Sequence, residues 1–141
     1  MNAFNNFQSA TWAEMKDRVL TPMKGEQPIQ MVKSDATALS LIFDQSGDKP
    51  FGASLIRFAA GEKVGLHTHV GSHILVVTYG LGILTYLDTK IDLKAGLIYL
   101  IPSNVPHAID ALSELVIIAI GNDFRAEGSK SRLTLVGEDD E

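Results

Sequence analysis

The stretch Gly61-Glu62-Lys63-Val64-Gly65-Leu66-His67-Thr68-His69-Val70-Gly71-Ser72-His73 holds three of the chain's four histidines. The fourth closes a second stretch, Gly96-Leu97-Ile98-Tyr99-Leu100-Ile101-Pro102-Ser103-Asn104-Val105-Pro106-His107. Histidine used so sparingly and then clustered points to imidazoles gathered around one ion, since neutral imidazole suits zinc, iron, copper and nickel alike. In a β-strand residues i and i+2 share a face, so His67 and His69 converge on one point. Val70-Gly71-Ser72 supplies a turn that brings His73 back on the next strand beside them. His107 arrives from a distant strand, so the fold must close before the site exists.

Working outward, strand readings continue on both sides. They cover Ile29–Lys33, Ala38–Phe43, Phe51–Ala59, Val64–His69, His73–Tyr79, Gly82–Leu87, Lys90–Leu93, Leu97–Ile101, His107–Asp110, Glu114–Ile120 and Arg132–Val136. Turn signals at Ser46-Gly47-Asp48, Ala60-Gly61, Asp88-Thr89 and Ala95-Gly96 punctuate them, the pattern of an all-β sandwich or barrel. Arg125 to Arg132 reads as a loop before the last strand. The N-terminal part differs: Ser9-Ala10-Thr11 precedes Trp12, Met15, Val19 and Leu20, a spacing that predicts a short amphipathic helix ended by Thr21-Pro22. The expected division is an N-terminal helix and lead-in strand over 1–33, a barrel over 34–136 and an acidic disordered tail over 137–141.

The two histidine stretches resemble the paired motifs of the cupin superfamily. The first motif runs Gly, five residues, His-x-His, three or four residues, Glu, six residues, Gly; here Gly61, His67, His69, His73 and Gly80 occupy those positions, with His73 where glutamate is usual. The second runs Gly, five residues, Pro-x-Gly, two residues, His; here Gly96, Pro102, Asn104 and His107 stand there. Asn104 replaces a glycine, and asparagine is among the side chains that best tolerate the left-handed backbone such a turn needs. Ala111 stands where a further asparagine is usual. The resemblance implies a double-stranded jelly-roll β-barrel with the metal inside one end. Its implied ligands are His67, His69, His73 and His107.

The 141 residues suffice for one domain with a sizeable core. No cysteine is present, which excludes disulfides and thiolate ligands and leaves only nitrogen and oxygen donors. The formal charge is −5, and Glu138-Asp139-Asp140-Glu141 accounts for most of it, so no basic stripe suggests nucleic acid. The N-terminus lacks the regions of a secretory signal, and runs such as Leu115 to Ile120 are too short to span a bilayer. A cytoplasmic protein without membrane or nucleic-acid partners is the expectation.

On the His73 strand, Leu75, Val77 and Tyr79 share the histidine's face and are the expected pocket residues. Ile74, Val76 and Thr78 make the other face apolar too, which calls for cover by another sheet, the N-terminal helix or a second subunit. Together with the habit of the resembled family, this favours a homodimer. Four neutral histidines leave a divalent ion (iron, nickel, zinc, manganese or copper) its full charge, which favours an anionic small-molecule ligand. The reading is one metal per chain in an enzyme for a small organic acid or an enolisable or aromatic substrate, of dioxygenase, isomerase or decarboxylase (lyase) type. The alternative is a non-catalytic, metal-gated binding or sensing module. Catalytic residues beyond the metal are not assigned. Arg57 pairs a substrate carboxylate if its face is inward and is a surface arginine otherwise.

Overall fold

A computed structural model describes residues 7–25 and 27–137. The acidic segment 138–141 lies outside them. The strands are β1 (Ala13–Lys16), β2 (Val19–Pro22), β3 (Ile29–Gln30), β4 (Thr37–Asp44), β5 (Phe51–Phe58), β6 (Lys63–Thr68), β7 (His73–Tyr79), β8 (Leu81–Tyr86), β9 (Thr89–Lys94), β10 (Ile98–Ile101), β11 (His107–Ala111), β12 (Leu115–Asn122) and β13 (Thr134–Leu135). Every strand expected between Ile29 and Val136 is found, with ends displaced by at most three residues. The described residues include no helix, hence none long and apolar enough to cross a membrane.

Two antiparallel sheets face each other. One has six strands in the order β10-β7-β12-β5-β4-β3, the other five in the order β13-β6-β11-β8-β9. Their inner faces interdigitate through Phe58, Val77, Leu84, Leu93, Ile101, Leu115 and Ile117, all essentially solvent-free. Burying each such side chain contributes roughly 1.5–3 kcal/mol, so this layer dominates stability. Non-consecutive strands lie side by side in both sheets, the jelly-roll arrangement.

The turn after His69 does something the sequence reading missed. It carries the chain from one sheet to the other, so β7 pairs with β10 and β12 rather than with β6. Gly71 makes the crossing possible. A Cβ there would lie 1.7 Å from the Asn122 carbonyl oxygen, a distance no side chain tolerates. Asn122 also holds the turn by accepting from Ser72 N through Oδ1 at 2.9 Å.

The expected N-terminal helix is absent, and a β1–β2 hairpin stands in its place. Lys16 pairs with Val19, leaving Asp17 and Arg18 as a two-residue loop with φ of 50° and 67°. Positive φ at both central residues is the type I′ geometry that matches strand twist. The same apolar spacing therefore serves a cross-strand Met15–Leu20 pair, with Met15, Val19 and Leu20 exposed rather than packed. Trp12 does not dock a helix on the barrel; its carbonyl accepts from Met23 N at 2.8 Å to close the hairpin base.

Candidate metal centre

His67 and His107 are cross-strand partners on β6 and β11. His69 follows β6 on the same face, and His73 opens β7 in the opposing sheet. All four are buried and line one cavity at this end of the barrel, of about 460 Å³ counting its open mouth. One ring nitrogen from each of His67, His69 and His107 lies within 4.8 Å of the others.

Three backbone carbonyls decide what these rings offer. Nδ1 of His67 faces Gly65 O at 2.8 Å, Nδ1 of His69 faces Gly71 O at 2.7 Å, and Nδ1 of His107 faces Val105 O at 2.9 Å. A carbonyl only accepts, so each Nδ1 carries the proton and each Nε2 keeps its lone pair. Burial, reinforced by neighbouring imidazoles, pulls the His67 pKa down to about 4 and that of His107 to about 3; His69 is lowered by the same burial, with the nearby Arg132 charge adding to it. At neutral pH the rings are neutral, with Nε2 unprotonated, which is the form a metal requires.

His73 is placed differently. Its ring stacks on His69 at 3.8 Å between centroids and 10° between planes, and it is not in the three-nitrogen set. Imidazole lone pairs lie in the ring plane, so two parallel stacked rings do not aim at one point. Burial and then the charge of neighbouring groups lower its pKa to about 2. Its room comes from its β12 partner Gly121, where a Cβ would sit 2.3 Å from His73 Cδ2.

The second motif performs as its turn chemistry requires. Asn104 has φ of 61°, the left-handed conformation a glycine would otherwise supply, and its N–H donates to His69 O at 2.8 Å. The two motifs are thereby tied directly beneath the rings.

Among the pocket residues expected from sequence, Leu75 lines the cavity. Val77 is buried deeper, outside the lining, and Tyr79 is 48% exposed at the far end of β7. A bulge between Val116 and Ile117 of β12 falls opposite that end of β7. Arg57 is turned away from the cavity. It bonds Glu114 at 3.0 Å and the carbonyls of Met23 and Pro22, pinning the N-terminal segment.

Arg132 was not singled out by its sequence context, yet it lines the cavity and is only 5% exposed. The nearby Glu127 is buried too and accepts a hydrogen bond from Ser54 Oγ. No motif announces either residue, because both sit in the loop before β13 and are brought to the cavity only by tertiary folding.

Residues 54–121, which contain both motifs, match the family described as the cupin domain. The chain carries a cupin domain. Solved structures share the fold. A cupin-like protein from Thermotoga maritima is 32% identical, over 60% of this chain and 66% of its own, at a TM-score of 0.55. The polyketide cyclase RemF from Streptomyces resistomycificus is 16% identical, over 81% and 82%, at 0.63. A salicylate 1,2-dioxygenase from Pseudoaminobacter salicylatoxidans, in adduct with gentisate, is 20% identical over 61% of this cupin and 24% of the enzyme, at 0.54. The last two show a shared fold alone. No curated protein matches the chain.

Proposed function

We propose that this cupin is a metal-dependent enzyme acting on a small organic anion, with one divalent ion held by His67, His69 and His107, and with His73 joining as fourth donor only once its ring turns off the His69 stack. The observation that carries this reading is the set of three Nδ1-to-carbonyl bonds, which leaves three Nε2 lone pairs free in a buried cluster. A structural role would close the site on all sides, whereas here the cluster borders an open cavity. An ion bound there supplies Lewis-acid polarisation or, if redox-active, a route to dioxygen chemistry. The chain itself supplies neutral donors, an apolar wall from Ile56, Phe58, Val64 and Leu75, and, among the described residues, no lining carboxylate to serve as base. Deprotonation must therefore rest on the substrate's own acidity beside a cation, which favours enolisable and phenolic acids. The structural likeness to a salicylate dioxygenase and to a polyketide cyclase is in keeping with substrates of that kind.

Metal content by mass spectrometry, followed by substrate screening with an oxygen electrode, tests the proposal. One metal per chain is expected. His69→Ala and His107→Ala should each lose at least about a hundredfold in affinity while keeping the β-sheet circular dichroism, because each removes one of the three nitrogens that already converge. Stoichiometric metal in the double variant would end the assignment.

The partner of the protein is proposed to be a second copy of itself. Two cross-sheet rows, Ile98–Val76–Ile118 and Leu100–Ile74–Ile120, form one apolar outer face. Ile98, Leu100 and Ile74 are 63%, 57% and 43% exposed. Light scattering should give a dimer mass, and Ile98→Lys with Leu100→Lys should give the monomer; a wild-type monomer at tens of micromolar would overturn this.

A further inference from the structure

We propose that Arg132 is the carboxylate-binding residue of the histidine cavity, so that the substrate class is a small carboxylate spanning the metal position and this guanidinium. The inference rests on the metal-site reading for its second anchor, but Arg132 is argued from its own surroundings. A guanidinium has five N–H donors in a planar fork matched to a carboxylate. Among the described residues only one bond of this kind is made, from one terminal nitrogen to Arg125 O at 2.7 Å. The group has no ion-pair partner among them. It nevertheless lies 95% buried in the cavity wall beside His67, His69 and His73, whose protonation its charge disfavours. A buried cation with unmet donors is costly, and proteins keep such groups where a counter-anion arrives.

The surroundings hold this arginine still. Its guanidinium carbon lies 4.7 Å from the Phe124 ring centroid, and its backbone N–H donates to Ser129 O at 3.0 Å. The loop is fastened to the barrel by Val32 N on Glu127 O at 3.0 Å, and by Lys33 Nζ on the carbonyls of Lys130 and Leu133. Glu127 is the acidic group closest in influence, favouring the charged arginine. Its carboxylate is engaged by Ser54 and forms no ion pair with Arg132, so the free face of the fork is left to a ligand.

The test is calorimetric titration of the zinc-loaded protein with acetate, pyruvate and benzoate, each against its uncharged amide. At least one acid should bind wild type tenfold or more tightly than its amide. Arg132→Gln should bring that ratio within twofold without changing metal content, an effect that loss of packing alone would not confine to the charged ligand. Acids and amides binding alike, neither binding, or a ratio that survives in Arg132→Gln would each overturn the proposal. If Arg132→Gln does not fold, a crystal structure of wild type with the tightest acid replaces it: carboxylate oxygens within hydrogen-bond distance of the guanidinium support the proposal, and any other location overturns it. Repeating the titration on chelator-treated protein separates the two readings, because a preference carried by Arg132 persists there even if the histidines hold no ion.

Discussion

At the histidine end of the barrel four rings are buried and three are fixed to named carbonyls, whereas Met15, Val19 and Leu20 of the N-terminal hairpin stand 64%, 60% and 51% exposed. Both regions carry clear side-chain periodicity. Only at the histidine end does that periodicity meet a tertiary surface that enforces it. A register slip of one residue in β6 would turn His67 to solvent and its apolar neighbours on that face with it. In the hairpin nothing buried depends on the pattern, so the two turn residues decide the local structure. The same spacing argument is decisive in one place and empty in the other.

The sharpest way to break the comparison is at Gly71, where the chain leaves the five-stranded sheet for the six-stranded one. Gly71→Ala forces a Cβ against the Asn122 carbonyl, and neither backbone can retreat without parting β12 from the turn. A loss of about 3 kcal/mol or more is expected by chemical denaturation, together with weakened metal binding. Wild-type stability in this variant would mean that the crossing is not as tight as described.

Protonation probes the same end more gently. The folded pKa values of the histidines lie below the ordinary value of 6.5, so the unfolded chain binds more protons than the native one at mildly acid pH. Stability of the metal-free protein is then complete above about pH 6.5 and falls as pH drops toward about 4 for His67 and about 3 for His107. Each histidine contributes a slope of about 1.4 kcal/mol per pH unit at most within that window. Denaturation midpoints that stay level between pH 7 and 5 would contradict the burial of these rings.

His73 tests how far the region acts as a unit. As fourth donor it should leave metal affinity at least tenfold weaker when replaced by alanine. As a ring that only stacks on His69, it should leave the dissociation constant within about twofold. Gly121→Ala offers a second handle, since the added methyl meets the His73 ring first and should change metal affinity in the same direction as His73→Ala.

Much of this was legible in sequence because it rested on short-range geometry. The strand positions and the shared face of His67 and His69 follow from period-two alternation and turn chemistry, while the left-handed turn at Asn104 and the joining of His107 to the pair were implied by the resemblance to the cupin motifs. What was not legible depended on contacts between distant segments. The crossing of β7 to the other sheet depends on Gly71 meeting Asn122, and the arrival of Arg132 at the cavity depends on a loop held by Lys33. The misread helix is a third kind of failure, a local one. Trp12, Met15, Val19 and Leu20 suit three or four residues per turn, but Lys16-Asp17-Arg18-Val19 also suits a tight loop, and the apolar pattern weighed nothing in the choice.

That local choice gives the smallest effect and a sign that distinguishes the alternatives. Arg18 has φ of 67°, a conformation costing a branched or long side chain about 1–2 kcal/mol relative to right-handed backbone and glycine almost nothing. In the hairpin, Arg18→Gly should therefore relieve strain and stabilise the β1–β2 pairing by about 0.5–1 kcal/mol, with the offset set by the greater freedom of glycine in the unfolded chain. In a helix the same substitution would cost about 1 kcal/mol. Hydrogen exchange at the amides that pair Lys16 with Val19 and Met15 with Leu20 reads the difference locally, slowing about two- to fivefold in the first case and quickening in the second. Metal content should not change in either, because the hairpin contributes no side chain to the cavity lining. Slower exchange with an unaltered metal site would confirm that the two regions are energetically separate, and faster exchange would restore the helix.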